Sequence, residues 1–268
     1  RMARVGYYRM RKTRGGPFQW VQMDLVGPIH PEGDGGFLYV LTYICVFTKF
    51  PYFVGLRNKE APEVAQALLN IFFESGAWPL VIQSDNGKEF VNWVMREVLR
   101  LCSVGHIQGA HYTPRIQGIV EASHKKLNAG LCILVMEFLT QFPSKWPTML
   151  PALQYHARQK PLFGKRSPHE LTQGWRGTTP LEVSLLPSGD VISAPHCENT
   201  WISDLVRNLK DLHTWFVEAT DEHQEEIRRA HDRRIHPVVF NVGEFVLITK
   251  APLDPTRSER LLYHALGV

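Results

Sequence analysis

The sequence predicts an α/β protein in which a mixed sheet carries helices. Three observations lead there. Three strand-like runs follow one another over short connections between residues 19 and 56. Beyond residue 60 the apolar period lengthens from two to between three and four, and helical and strand-like stretches alternate. The chain has 268 residues, 44% of them hydrophobic and 21% charged. That composition suits a globular core, and the length suits one large domain with appendages or two domains.

The first three strands are expected at Gln19–Val26, Phe37–Phe47 and Phe50–Leu56. Between the first two, the Pro- and Gly-rich stretch from Pro28 to Gly36 reads as a hairpin loop. Thr48-Lys49 makes a connection too short for anything but an antiparallel return. Val64, Leu68, Leu69, Phe72 and Phe73 then recur at helical spacing, with Pro62 tolerated in the first turn and Gly76 as the stop. Pro79 to Ser84 is a short continuous apolar run of the buried-strand kind, ending at Asp85-Asn86-Gly87.

Val91, Val94, Val98 and Cys102 mark a second helix, and His106 to His111 a fifth short strand. A loop holding Pro114 and Gly118 is expected to lead into a long helix striped by Val120, Leu127, Leu131, Leu134 and Phe138. Gly130 inside it costs about 1 kcal/mol of helix propensity. The order β-β-β-α-β-α-β-α implies parallel neighbours in the second half of the sheet. Another helix is expected over Trp146–Arg158, then Ser167-Pro168-His169-Glu170-Leu171 and a Pro/Gly/Ser-rich passage to about Asn199. Leu205, Leu209, Leu212, Phe216, Ala219, His223, Ile227 and Ala230 form the seam of a long helix packed on the domain or on another chain. Glu244–Thr249 is a last strand candidate.

Charge is unevenly placed. The formal net charge is +4, yet Arg1, Arg4, Arg9, Arg11, Lys12 and Arg14 crowd into the first 14 residues with no acidic neighbour. A basic arm ahead of a near-neutral body suits contact with phosphates, and equally a solvated terminus. Cys45, Cys102, Cys132 and Cys197 stand far apart, and the His106/His111 and His231/His236 pairs have no cysteine pair upstream. No zinc site and no secreted disulfide framework is expected. The apolar run Phe37–Phe47 has 11 residues, too few to span a bilayer, and the first 14 residues are too polar for a signal-peptide core. The expectation is a soluble intracellular chain with no membrane partner.

Three carboxylates stand where a structural role explains them poorly. Asp24 interrupts the apolar strand Trp20-Val-Gln-Met-Asp-Leu-Val26. Asp85 sits where a buried strand runs out into a turn, the edge at which open α/β sheets keep functional groups. Glu121 lies beside the apolar stripe of the long helix, on a face shared with Gln117, Lys125 and Asn128. Taken singly, each has a plain explanation: a local backbone contact, an Asx turn, a solvated helix acid. Together they come from two inner strands and one helix, which such a fold can bring to one point. At an effective dielectric of about 20, each like-charge pair near 4 Å costs on the order of 4 kcal/mol, so the group needs a counter-ion. Oxygen-only ligands suit Mg2+ or Mn2+. Two such ions about 4 Å apart stabilise both oxygens of an in-line displacement at phosphorus.

The segments Trp20-Val-Gln-Met-Asp24-Leu-Val-Gly-Pro28, Ser84-Asp85-Asn86-Gly87-Lys88-Glu89-Phe90 and Tyr112-Thr-Pro114 through Gln117-Gly118-Ile-Val-Glu121 resemble the catalytic core of retroviral and gypsy-type LTR-retrotransposon integrases. The 35 residues between Asp85 and Glu121 match that family's two-Asp, one-Glu pattern. Ser167-Pro168-His-Glu170-Leu171 with Gly174 also resembles the stretch after that core, and Phe240 to Val246 resembles the entry to a small C-terminal β-barrel.

The resemblance implies an RNase H-like mixed five-stranded sheet flanked by helices, then a long helix and the start of a β-barrel. It divides the chain into a basic arm (1–16), a catalytic core (17–180), a linker (181–199), a long helical segment (200–236) and a truncated barrel (237–268). It implies a Mg2+-dependent (or Mn2+-dependent) polynucleotidyl transferase with two ions held by Asp24, Asp85 and Glu121. Asn86, Tyr112, Gln117 and Lys125 fall where family members place groups near DNA. The implied reaction is 3′-end processing and strand transfer of a retroelement, with DNA as partner, a homo-multimer as working form, and the nucleus (or a retroelement particle before nuclear entry) as location.

There are departures from the family pattern. The usual amino-terminal zinc module does not precede the core in this sequence, and Cys45 stands where relatives commonly carry Asp. The familiar Glu-Arg-x-Asn run reads Glu121-Ala122-Ser123-His124, and His156 replaces the usual Asn of a later Tyr-Asn pair. These point to an alternative, a decayed or domesticated copy that binds DNA or scaffolds without catalysis, or else to a fragment of a longer polyprotein. A nuclease acting on RNA–DNA hybrids fits the triad spacing less well.

Overall fold

A computed structural model describes residues 15–108, 114–177 and 198–233. Within its helices, the side chains at 114–123, 126, 138 and 198–201 lie outside the description. Five strands form one sheet: β1 (Trp20–Val26), β2 (Tyr39–Cys45), β3 (Pro51–Leu56), β4 (Val81–Ser84) and β5 (Gly105–Gln108). Their spatial order is β3-β2-β1-β4-β5. β1–β2 and β2–β3 are antiparallel, while β1–β4 and β4–β5 are parallel. This is the mixed five-stranded sheet that the resemblance implies.

Side-chain alternation along the strands divides the core in two. On one face Val21, Met23, Leu41, Tyr43 and Cys45 join Val64, Leu68, Ile71 and Phe72 of α1 (Ala61–Ser75), and Met95 and Leu99 of α2 (Trp93–Leu101). On the other, Val40 and Phe53 pack with Leu127 and Leu131 of α3 (Pro114–Phe138), and with Leu150 and Leu153 of α4 (Leu150–Gln159). Even-numbered positions of β1 and β2, Gln22, Asp24 and Thr42 among them, share this second face with Val40. α1 closes on Gly76 in the left-handed region (φ 62°), the conformation glycine adopts without penalty.

Two boundaries differ from expectation where prolines fall. α3 begins at Pro114, so Gly118 lies within the helix. Proline is well placed there, because a first-turn residue has no N–H to give the helix. The expected Trp146–Arg158 helix is instead a 3-10 segment, Pro143–Met149, followed by α4. Pro147 and Pro151 have no N–H for i→i−4 bonding, and Leu150 N–H bonds to the Pro147 carbonyl instead. β5 ends at Gln108; the expected strand residues 109–111 lie outside the described residues.

α5 (Pro168–Gln173) starts with a capping box: Ser167 Oγ accepts from Glu170 N–H at 3.2 Å, and Glu170 Oε2 accepts from Ser167 N–H at 2.8 Å. The long helix α6 spans Glu198–Asp232. Of its apolar seam, Phe216 is fully buried and stacks edge-on against Phe47, and Leu212 packs on the core of the first sheet face. The compact unit extends through Asp221. From Glu222 the chain belongs to a second unit, whose described part ends with the helix, where Glu225 bridges Arg228 and Arg229. The strand candidate Glu244–Thr249 lies outside the described residues. Among the described residues no helix is long and apolar enough to cross a membrane.

Candidate active site

Parallel pairing of β1 with β4 sets Trp20 opposite Val81, Val21 opposite Ile82, and Gln22 opposite Gln83. Asp24 and Asp85 each lie two residues further on. Continuing the register places them side by side, on the sheet face that carries Gln22 and Gln83, at the carboxyl ends of adjacent strands. Neighbouring strands run about 4.8 Å apart. Gln22 Nε2 donates to Gln83 Oε1 at 3.2 Å, so the row beneath the aspartates is already joined across the two strands.

Each aspartate spends one oxygen locally. Asp24 Oδ1 accepts from the Leu25 N–H at 2.8 Å, and Asp85 Oδ1 accepts from the Gly87 N–H at 3.0 Å, closing an Asx turn. These contacts fix carboxylate orientation; they are the plain explanations that each residue allows on its own. Both side chains are only partly buried, so they remain within reach of solvent and ligands.

α3 lies over this corner. His124 Nε2 stands 2.7 Å from Thr42 Oγ1, and His124 Nδ1 lies 3.8 Å from Asp24 Oδ2. Thr42 is the antiparallel partner of Asp24, and its hydroxyl donates to the Asp24 carbonyl at 3.0 Å. On the other side, Ser84 Oγ donates to the Asp85 carbonyl at 2.8 Å and stands 2.8 Å from His106 Nε2 of β5. Burial holds both imidazoles below the ordinary histidine range.

The backbone of Glu121 belongs to α3, one turn before His124, and Gln117 lies one turn earlier still; both side chains lie outside the described residues. Tyr112 also lies outside them. Lys125 is exposed on α3, and Asn86 is half-buried in the turn after Asp85. Among the described residues no three His, Cys, Asp or Glu side chains converge as a metal cage. Thr42, Ser84 and His106 carry no sequence signal, because their contacts run between strands. His124 is visible only as a departure from a family pattern.

Residues 15–114 match the family model described as integrase core domain. Over that stretch the chain is similar to integrase core domains. Its curated relatives are polyproteins: the Retrovirus-related Pol polyprotein from transposon 412 of Drosophila melanogaster is 22% identical over 232 residues, covering 86% of this chain and 18% of the relative. The Gag-Pol polyprotein of Baboon endogenous virus (strain M7) is 27% identical over 242 residues, covering 90% and 13%. That of Feline leukemia virus is 28% identical over 175 residues, covering 65% and 9%. The chain thus spans under a fifth of the length of these relatives. Among solved structures, the HTLV-2 integrase catalytic core domain in complex with magnesium (dimeric form) is similar at a TM-score of 0.49 and 14% identity, covering 60% of this chain and 99% of that one.

Proposed function

We propose that the integrase core of this chain is a polynucleotidyl transferase that performs metal-dependent 3′-end processing and DNA strand transfer for a retroelement. The observation that carries this reading is the placement of Asp24 and Asp85 at the carboxyl ends of adjacent parallel strands within the stretch similar to integrase core domains. Their donor set is all oxygen, which fits Mg2+ or Mn2+ better than zinc. Asp24, Asp85 and Glu121 are the proposed ligands of two such ions. The ions, when bound, supply charge stabilisation to the entering and leaving oxygens of an in-line displacement at phosphorus.

The remaining roles fall to side chains that hold DNA. Asn86, in the turn beside Asp85, is proposed to orient a phosphate or base edge. Lys125, exposed on α3, offers a mobile positive charge to the backbone. Tyr112 and Gln117 are proposed as further DNA contacts. No enzyme-bound covalent intermediate is required, since both steps exchange one oxygen for another at phosphorus. The proposed domain order is arm 1–16, core 17–180, linker 181–199, helical segment 200–236 and barrel start 237–268. The proposed setting is nuclear, with a homo-multimer acting on element ends and target DNA.

The test is a joining and disintegration assay of the purified chain on short-ended and branched DNA with Mn2+. Joined or resolved products in wild type, lost in Asp85→Asn and Glu121→Gln, are expected. Equal inactivity of wild type and Asp85→Asn overturns the catalytic reading.

One observation favours a second reading, a DNA-binding scaffold that no longer catalyses. His124, one of the departures from the family's run, lies 3.8 Å from Asp24 Oδ2, the carboxylate that a cation would need. Millimolar Mg2+ binding that Asp24→Asn abolishes counts against this reading.

A further inference from the structure

The two aspartates are flanked by matching groups. Beside Asp24, the Thr42 hydroxyl donates to the Asp24 carbonyl and meets His124 Nε2 at 2.7 Å. Beside Asp85, the Ser84 hydroxyl donates to the Asp85 carbonyl and meets His106 Nε2 at 2.8 Å. A hydroxyl has one proton, and a carbonyl oxygen can only accept. With that proton directed to the carbonyl, the hydroxyl oxygen must accept from the imidazole. Both histidines therefore carry hydrogen on Nε2. At His106 the other nitrogen, Nδ1, is buried with no hydrogen-bond partner among the described residues, which a bare acceptor tolerates better than an N–H.

The arrangement crosses elements. Ser84 ends β4 and His106 comes from β5; Thr42 lies on β2 and His124 on α3. Each chain of contacts ends on the main chain of an aspartate whose own Oδ1 is bonded to a nearby backbone N–H. Holding the main chain thus holds the carboxylate.

We propose that Ser84–His106 and Thr42–His124 are two positioning clamps that fix the backbones of Asp85 and Asp24 so that both carboxylates present their outer oxygens to a divalent cation. The inference rests on the metal-binding reading above. Removing an outer partner of a metal ligand lowers metal affinity by about 10–100-fold.

The experiment is a Mn2+ titration of the full chain, followed by the loss of the free-ion electron paramagnetic resonance signal. Thermal melts run alongside to report folding. Ser84→Ala and Thr42→Val, which add no bulk, are expected to weaken Mn2+ binding about tenfold. His106→Phe should do the same, and His106→Gln, whose Nε2 amide can donate to Ser84, should restore most of the affinity. Wild-type affinity in Ser84→Ala, Thr42→Val and His106→Phe, with Asp85→Asn unable to bind, overturns the clamps and leaves the metal site standing. A His106→Gln protein as weak as His106→Phe overturns the donor role of the imidazole. Absence of Mn2+ binding in wild type overturns the metal reading itself, and the clamps with it. Should His106→Phe fail to fold, Ser84→Ala and Thr42→Val decide the matter alone.

Discussion

Gln22 and Gln83 join their carboxamides across β1 and β4 at 3.2 Å, one side-chain row below Asp24 and Asp85. Both are about 1% exposed. This buried bond between the two amides pins the relative height of the two strands, and that height decides whether the aspartates stand level. Gln83→Leu leaves the Gln22 amide donor without this acceptor and should cost about 1–3 kcal/mol. Urea unfolding checks this, and an unchanged midpoint would mean the pair contributes nothing.

Gly130 has a packing reason that helix propensity hides. A Cβ built there would stand 2.5 Å from Leu153 Cδ2, so α3 and α4 approach through the missing side chain. Gly130→Val should therefore destabilise by roughly 1–3 kcal/mol, despite replacing glycine within a helix. A raised melting temperature in that variant would show that α4 yields freely.

Leu131 is nearly buried in the cluster between α3, α4 and the sheet. Leu131→Ala should cost about 2–5 kcal/mol as a core truncation, read from denaturant midpoints. A cost below 1 kcal/mol would mean the cluster collapses onto the vacancy.

The capping box at α5 is local enough to test by itself. Ser167→Ala removes the acceptor of the Glu170 N–H while Glu170 still pairs with Arg166 at 3.1 Å. A loss of about 0.5–2 kcal/mol is expected, visible as a lower melting temperature. Ser167→Asp should recover most of it.

Stability should fall as the solution is acidified below neutrality. Burial lowers the pKa of His106, His124 and His169, with the Arg158 charge adding at His169. The unfolded chain, with ordinary histidines near 6.5, then takes up protons before the folded chain does. The contribution of these groups is complete above that pH and is lost as pH falls through their lower folded values. Melting temperatures of wild type and His106→Gln, compared between pH 7 and pH 5, should converge on the acid side. Parallel curves would contradict the assignment.

Much of the fold was legible because burial imposes a period. Val21 and Met23 alternate with Gln22 and Asp24, and Leu127 and Leu131 recur one turn apart, as their opposite faces require. Asp24 and Asp85 were legible for the reverse reason, since one interrupts an apolar strand and the other ends one. What stayed hidden depends on neighbours distant in the chain. Nothing around Thr42 or Ser84 announces an imidazole across the sheet, and Gly130 looks like a defect until Leu153 is seen. The split of the helix expected over Trp146–Arg158 could have been read, because Pro147 and Pro151 both lack the donor that an α-helix needs.

The shared register of β1 and β4 has an evolutionary corollary. Facing alternates with every residue, so gaining or losing a single codon between Trp20 and Asp24 would turn the carboxylate to the opposite side of the sheet. The five residues from Trp20 to Asp24 therefore cannot change in number without losing that facing. If Asp24 and Asp85 hold the proposed ions, sequences that keep both carboxylates should differ here by exchange of letters alone.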